Sequence, residues 1–311
     1  MIQFDQSKHS SFDVVVIGGG PGGLSAATWC DELGMSTLVI ESEDELGGQL
    51  SWIHNPITNH LGGIFGNGSD LRDIILNQVA EREFVVALGK EISSVAQGSV
   101  IFSDGMSVRF KYLIVATGLS RRRIGIEAET RLVGKGVLTS GAGQRESVKG
   151  KTVAVIGGGD AAVENALILS EFAEKVVLIH RRDRFVARDE MVSQLQSRNN
   201  IEVLLNKTVK SIEDHDVLTS IVIEDVNKRE LTSLAIENLL IRIGFEPNSS
   251  LLKGKIEMDE KGYIKVDSTF RSSEESIYAI GDVVSPMSPT ISGAVGAGSI
   301  AAKSIHFRST N

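Results

Sequence analysis

The chain has 311 residues, 41% of them hydrophobic and 23% charged, the balance of an ordinary folded protein with room for two cores rather than of a disordered chain. A formal net charge of -8 argues against binding to nucleic acid or to an anionic membrane by the molecule as a whole. The opening residues lack a basic stretch followed by an apolar core, and no apolar run is long enough to span a bilayer, so the expected location is the cytoplasm.

Phe12 to Ile17 is a short apolar run suited to a strand buried on both faces, and it runs straight into Gly18-Gly19-Gly20-Pro21-Gly22-Gly23. A helical pattern follows from Leu24 to about Leu33, and after Gly34 a second apolar run, Thr37 to Ile40, ends in Glu41. This is a βαβ unit with the glycine spacing of a phosphate-binding turn. Gly18 provides the tight turn, Gly20 the close backbone approach to a pyrophosphate, and Gly23 the close packing of helix on strand. The helix N-terminus offers N–H groups and a positive dipole end to the phosphates, and Glu41 is placed to accept hydrogen bonds from ribose hydroxyls.

Cys30, the one cysteine in the chain, lies in the helical pattern among alanines and leucines and reads as a buried structural thiol, with a lone redox thiol as the lesser reading. A single cysteine excludes an intramolecular disulfide, and with six histidines in no ligand spacing it leaves no credible zinc or iron-sulfur site. Trp52 and His54 lie near enough in sequence to a later glycine pair to approach a cofactor, although packing or surface placement is the commoner role.

Tyr112 to Ala116 reads as another buried strand closing on Thr117-Gly118, and Arg121-Arg122-Arg123 follow. That run is either a docking patch for an acidic partner or a solvated face. Lys151 to Ile156 then feeds Gly157-Gly158-Gly159-Asp160-Ala161-Ala162, a helical pattern through Phe172 and a strand, Lys175 to Ile179, that ends in His180-Arg181-Arg182. The same unit therefore occurs twice. Ala162 replaces the third glycine, a variant the turn accepts. Where the first unit has a carboxylate, the second has cations. A guanidinium there grips a 2'-phosphate that an acid would repel, so the pattern favours NADPH over NADH, the alternative being a solvated charged turn. A last strand, Ser276 to Ile280, closes on Gly281-Asp282.

The fold class expected is α/β, with two Rossmann-like dinucleotide-binding domains, the second inserted into the first. The outer domain takes residues 1–118 and 246–311 and the inner one residues 119–245.

Taken together, GGGPGGLSAA, LGGQL at 46–50, NHLG at 59–62, the ATG at 116–118, GGGDAAVENA at 157–166, HRRDRF at 180–185, IGFEPN at 243–248 and YAIGD at 278–282 resemble the low-molecular-weight thioredoxin reductase family in order and spacing over essentially the whole chain. The resemblance implies FAD held by the outer domain, NADPH by the inner one, and a homodimer. Carried over residue by residue, it places FAD along Gly18, Gly20, Pro21, Gly22, Gly23, Glu41, Gly47, Gly48, Gln49, Leu50, Asn59, Thr117, Gly118, Gly281, Asp282, Thr290 and Ile291. It places NADPH along Gly157, Gly159, Asp160, Ala161, His180, Arg181, Arg182, Arg188 and Gly244. No side chain is assigned a catalytic role, the flavin being the reactive group.

Three departures bear on function. Where that family carries a Cys-x-x-Cys pair, this chain has Ser140 and Gly143, so reduction of a dithiol by the family's usual route is excluded. At the C-terminal flavin contact, Pro289-Thr290-Ile291 replaces an Arg-Gln-Ala run. Val186 stands at a third arginine of the HRRDxFRA pattern, with Arg188 two places later. The chain is similar in its missing cysteines to the thioredoxin-reductase-like ferredoxin/flavodoxin-NADP reductases. The expected function is thus FAD-dependent electron transfer between NADPH and a ferredoxin, flavodoxin or small quinone-like acceptor, without an internal disulfide. A redox sensor fed by NADPH or ferredoxin, or an oxidase acting on external thiols, are the alternatives.

Overall fold

Ser11 to Ile17 form a strand whose apolar residues, Phe12 and Val14 to Ile17, find apolar partners on both faces. The computed structural model describes residues 1–5 and 7–310, and the chain folds into two compact units: residues 1–120 with 246–311, and residues 121–245.

The first segment contributes β1 (Ile2–Gln3), β2 (Ser11–Ile17), α1 (Pro21–Glu32), β3 (Thr37–Ile40), α2 (Gly68–Val79), β4 (Val85–Ala87), β5 (Ile92–Ala96), β6 (Ser99–Phe102) and β7 (Ser107–Val115). β8 (Leu119–Arg121) carries the chain into the second unit. There follow α3 (Ala128–Arg131), β9 (Val137–Leu138), β10 (Thr152–Ile156), α4 (Asp160–Ser170), β11 (Lys175–Ile179), α5 (Asp189–Gln196) and β12 (Ile201–Leu204). β13 (Lys207–Asp214), β14 (Leu218–Asp225), β15 (Leu231–Ala235) and β16 (Asn238–Ile241) complete that unit. β17 (Phe245–Pro247) returns the chain to the first unit, which ends with β18 (Ile277–Ala279) and α6 (Ile291–Thr310).

In the first unit the sheet runs β1-β4-β3-β2-β7-β6-β5, with β18 parallel to β7. Val14, Val16, Val39, Val86 and Ile114 face α1 and α6, whereas Val15, Ile17, Leu38, Val85 and Leu113 pack on the opposite side with residues of β5, β6 and the later segment Leu252, Ile256 and Ile264. Helices α1 and α6 approach closely: a Cβ at Gly298 would lie 2.6 Å from the Gly22 carbonyl oxygen. The Ser25 hydroxyl reinforces the packing by donating to the Val295 carbonyl at 2.7 Å.

The second unit has a parallel sheet, β12-β11-β10-β16-β9, and an antiparallel meander, β13-β14-β15. Val153, Val155, Val176, Leu178 and Leu240 pack on α4 through Ala162, Val163, Ala166 and Leu169, and the other face packs on Ile212, Ile221 and Ile223 of the meander. The α4 helix stops at Ser170, short of the expected Phe172, because Asn200 Nδ2 caps its end by donating to the carbonyls of Ser170 and Ala173. The α1 helix starts earlier than expected, at Pro21, whose fixed φ suits the first helical position.

In each unit the central strand has its sequence neighbour on one side and a later strand on the other: β3 and β7 flank β2, and β11 and β16 flank β10. Each sheet thus has a switch point at the carboxyl ends of its strands, where ligands of open α/β sheets bind.

Candidate functional site

The two glycine turns sit at those switch points and are built alike. Gly18 has φ +108°, and a Cβ there would lie 2.4 Å from the Ala116 carbonyl oxygen just beyond β7. In the second unit Gly157 has φ +149°, and a Cβ would lie 2.1 Å from the Arg242 carbonyl oxygen just beyond β16. Any side chain at either position would push the two strands apart. A Cβ at Gly23 would meet the Gly18 carbonyl oxygen at 1.9 Å, so the first helix rests directly on its turn. Gly20 and Gly159 are the N-caps of α1 and α4, and neither helix end is closed by a capping side chain.

Glu41 holds the first turn from beneath. One carboxylate oxygen accepts the Gly19 N–H at 2.8 Å, and the other accepts the Glu43 N–H at 3.1 Å and the Ser42 hydroxyl at 3.2 Å. The side chain is buried, with 8% of the residue exposed, and its expected role toward a ribose is joined by this role in shaping the turn. Gly47 donates its N–H to the Gly19 carbonyl at 2.9 Å, and a Cβ at Gly48 would lie 3.0 Å from Gly20 Cα, so the LGGQL turn is layered on the first. Gln49 Nε2 donates to the Leu119 carbonyl at 2.9 Å. Thr117 and Gly118 are pinned by Asn248, which accepts the Thr117 hydroxyl at its carbonyl, donates Nδ2 to the Thr117 carbonyl and donates its N–H to the Gly118 carbonyl. Gly281, with φ +71°, turns the chain into a short helix, Gly281–Val284, in which burial raises the Asp282 carboxyl above its ordinary value.

Several other expected positions make contacts within the chain or stand exposed. The Leu50 side chain points into a small core with Ile57 and Leu71, so only its backbone remains for a ligand. Asn59 is exposed and makes no hydrogen bond among the described residues; it is the neighbouring His60 that is tied down, with Nδ1 3.0 Å from Ser292 Oγ. Thr290 Oγ1 accepts the Gly293 N–H at the start of α6, and Ile291 packs against the Leu50 core. Cys30 is fully buried on α1, and burial pushes its thiol up to about 12.

In the second unit His180 takes the place that Glu41 has in the first. Its ring lies under the turn, 2.2 Å from where a Cβ of Gly158 would be, and stacks on Phe185 at 5.6 Å between centroids. The ring is packed in this place, beside the turn at which the sequence set it. Burial lowers its basicity and the charges of Arg182 and Arg181 lower it further, while its Nε2 is buried without a hydrogen-bond partner. The loop after it curls back over the turn, Val186 N–H donating to the Gly158 carbonyl at 2.8 Å. Arg181 and Arg182 are exposed on that loop. Arg188 is paired with Asp160: its N–H and Nε donate to the two carboxylate oxygens at 2.8 and 3.1 Å. The pair neutralises an acid at the mouth of an anion-binding turn. Gly244, with φ +97°, accepts the Arg122 N–H.

The Arg121-Arg122-Arg123 run does not form one surface cluster. Arg121 is half-buried and donates to the Thr139 carbonyl, while Arg123 Nη1 donates to the Thr130 hydroxyl at 3.2 Å. Reading the sequence missed Arg242, whose signal was a charge closing the apolar run of β16 at the position that Ala116 has after β7.

Residues 12–298 match the family model described as pyridine nucleotide-disulphide oxidoreductase. The chain belongs to that family. It is 30% identical to the thioredoxin reductase of Bacillus subtilis over 96% of its own length and 95% of that protein's. It is 28% identical to a 34.2 kDa protein in the rubredoxin operon of Clostridium pasteurianum, over 95% of its own length and 96% of that protein's. The crystal structure of Lactococcus lactis thioredoxin reductase superposes with a TM-score of 0.80 at 28% identity, covering 95% of this chain and 98% of that one. The chain is accordingly an oxidoreductase and flavoprotein of the thioredoxin-reductase type, with two dinucleotide-binding domains, and members of that type use FAD and NADPH. The geometry fits both groups: two uncapped helix N-termini over open glycine turns, an orphaned His180 Nε2 beside the second, and exposed guanidiniums on its rim. Among the described residues, no helix is long and apolar enough to cross a membrane.

Proposed function

We propose that this protein is a cytoplasmic, homodimeric FAD-dependent oxidoreductase that passes electrons from NADPH to an acceptor such as a ferredoxin, flavodoxin or small quinone-like molecule, without an internal redox disulfide. The observation that carries this reading is the thiol inventory. The one cysteine is locked in the core on α1, protonated at any physiological pH, and no second thiol exists to pair with it.

FAD supplies the capacity to take two electrons as hydride and release them singly or together. The chain's own residues do the rest. Gly18 to Gly23 and the N-terminus of α1 cradle the FAD pyrophosphate, Glu41 shapes that turn and faces the adenosine ribose, and Gly47, Gly48, Gln49, Thr117, Gly118 and Asp282 line the remaining path. In the second unit Gly157, Gly159 and Ala161 carry the NADPH pyrophosphate on the α4 N-terminus. Asp160 is kept from repelling it by Arg188, and Arg181 with Arg182 supplies the charge-assisted contacts that a 2'-phosphate needs. The place of the Clostridium relative in a rubredoxin operon supports a small redox protein as acceptor.

Anaerobic stopped-flow mixing tests this. Rapid bleaching of the flavin band by NADPH, slower bleaching by NADH, and reoxidation by one of ferredoxin, flavodoxin or a quinone are expected. A flavin that neither nucleotide bleaches would refute the proposal.

A further inference from the structure

In the first unit, one side chain outside every motif lies against the LGGQL turn. Arg72, on α2, lays its stem along the backbone of Gly47: Cγ and Cδ are each 2.6 Å from where a Cβ of Gly47 would be. Gly47 has φ +113°, a conformation that side chains rarely adopt, and the room left by its missing side chain is taken by Arg72. The fork beyond that stem is thinly partnered. Nη1 donates to Glu45 Oε2 at 2.7 Å, whereas Nε stands 3.7 Å from Asp73 Oδ1, too far for a hydrogen bond, and is buried with no hydrogen-bond partner. The side chains of Glu45 and Asp73 are 73% and 67% exposed, so neither ion pair contributes much. An unmet buried donor is unfavourable. The part of Arg72 that does the holding is therefore its stem.

The base from which the stem reaches is firm. Gly68 N–H donates to the Ile53 carbonyl at 2.8 Å, and a Cβ at Gly68 would lie 1.9 Å from the Leu50 carbonyl oxygen, so α2 begins hard against the short helix Gly48–Trp52. Asn67 Oδ1 caps α2 by accepting the Asp70 N–H at 3.1 Å, and Leu71 is buried with Leu50 and Ile57. At the other end, Gly47 N–H holds the Gly19 carbonyl at 2.9 Å and Gly48 packs on Gly20. A line of contacts thus runs from α2 through Arg72 and Gly47 to Gly19, in the middle of the first glycine turn.

We propose that Arg72 is a positioning residue for FAD, which holds Gly47, and through it Gly19, in the geometry that retains the flavin nucleotide. It acts through the turn and not by touching the ligand. The inference rests on the proposed placing of FAD along Gly18 to Gly23 and Gly47 to Gln49, and is independent of the electron acceptor.

The test follows dissociation of FAD from the diluted holoprotein by flavin fluorescence, and thermal unfolding of the deflavinated protein. Arg72→Ala should release FAD about tenfold faster or more, because the stem is lost. Arg72→Met, which keeps an unbranched stem without charge, and Arg72→Lys should stay within about threefold of wild type. The deflavinated Arg72→Ala protein should melt within about 2 °C of wild type, since alanine is the best helix former and the lost ion pairs are exposed. Gly47→Ala should speed release in the wild-type background and do so less in Arg72→Ala, where the added methyl group finds room. Gly20→Val reads the placing of FAD separately: a Cβ there meets nothing nearer than Gly48 Cα at 4.0 Å, so the fold tolerates it while the ligand's place is filled. Loss of FAD in Gly20→Val with unchanged release in Arg72→Ala would overturn the role of Arg72 alone, and unchanged retention in both would overturn the placing of FAD with it. Release from Arg72→Met as fast as from Arg72→Ala, additive effects of Arg72→Ala and Gly47→Ala, or a deflavinated Arg72→Ala protein that melts many degrees lower would each overturn the inference.

Discussion

Glu41→Gln keeps the size of the side chain and removes its charge. In the native turn one carboxylate oxygen serves Gly19 N–H and the other serves Glu43 N–H and the Ser42 hydroxyl. A glutamine keeps one carbonyl oxygen and must point its NH2 at the remaining donor. The variant thus loses at least one of three charge-assisted hydrogen bonds in a buried place, weakens those that remain and faces donor against donor. The loss is about 1.5–3 kcal/mol. For a unit of this size each kcal/mol moves the melting temperature by roughly 2–4 °C, so the FAD-free protein should melt several degrees lower. Because Gly19 lies between the glycine of the tight turn and the glycine that approaches the pyrophosphate, FAD retention should fall as well, by roughly tenfold or more in Kd. Thermal unfolding of the apoprotein, followed by titration with FAD and readout of flavin fluorescence, measures both. A Glu41→Gln protein that melts within about a degree of wild type and binds FAD unchanged would refute the view that this carboxylate shapes the turn.

Cys30 should resist a thiol-specific chromophoric reagent in the native protein between pH 7 and 9 and react fully once unfolded, and Cys30→Ala should keep NADPH-dependent acceptor reduction; rapid native labelling would contradict the burial argument. His180 has a folded-state pKa below its ordinary value of 6.5, so the unfolded chain takes up a proton first as the pH falls. Stability should therefore decline below about pH 6.5, and melting curves from pH 7.5 to 5.5 should show a shallower decline in His180→Phe. Arg182→Ala should raise the KM for NADPH by about 10- to 100-fold and leave that for NADH nearly unchanged; equal effects on both would place the 2'-phosphate elsewhere.

Much of the architecture was legible because its signals were local. Thr37–Ile40 and Lys175–Ile179 appear as strands with the bounds that their apolar runs suggest. The duplication was legible for a deeper reason: each glycine turn is imposed by a backbone atom, the carbonyl oxygen of Ala116 or of Arg242, so no other residue type fits. What escaped was the business of side chains that meet across the fold. Glu41 and His180 both end the second strand of their units, and sequence position alone suggested that each faces a ligand. The structure adds to each a place under a glycine, one as a hydrogen-bond acceptor and one as a packed ring. The arginine run at 121–123 read as a docking patch or a solvated face, but Arg121 ends β8 half-buried and meets Arg242 from the far end of the unit, while Arg123 reaches Thr130.

The close seating of Gly298 on Gly22 also bears on how the chain is made. The face of α1 that carries the first glycine turn is covered by α6, whose residues emerge only after the whole second unit has been synthesised. Residues 121–245 form a contiguous stretch that supplies every strand of its five-stranded and three-stranded sheets, so they can fold while the first glycine turn still lacks its covering helix. During that interval the apolar flank of α1 is exposed. FAD, added early, has no finished unit to bind, and capture of the flavin becomes a late event that waits for the final helix to dock.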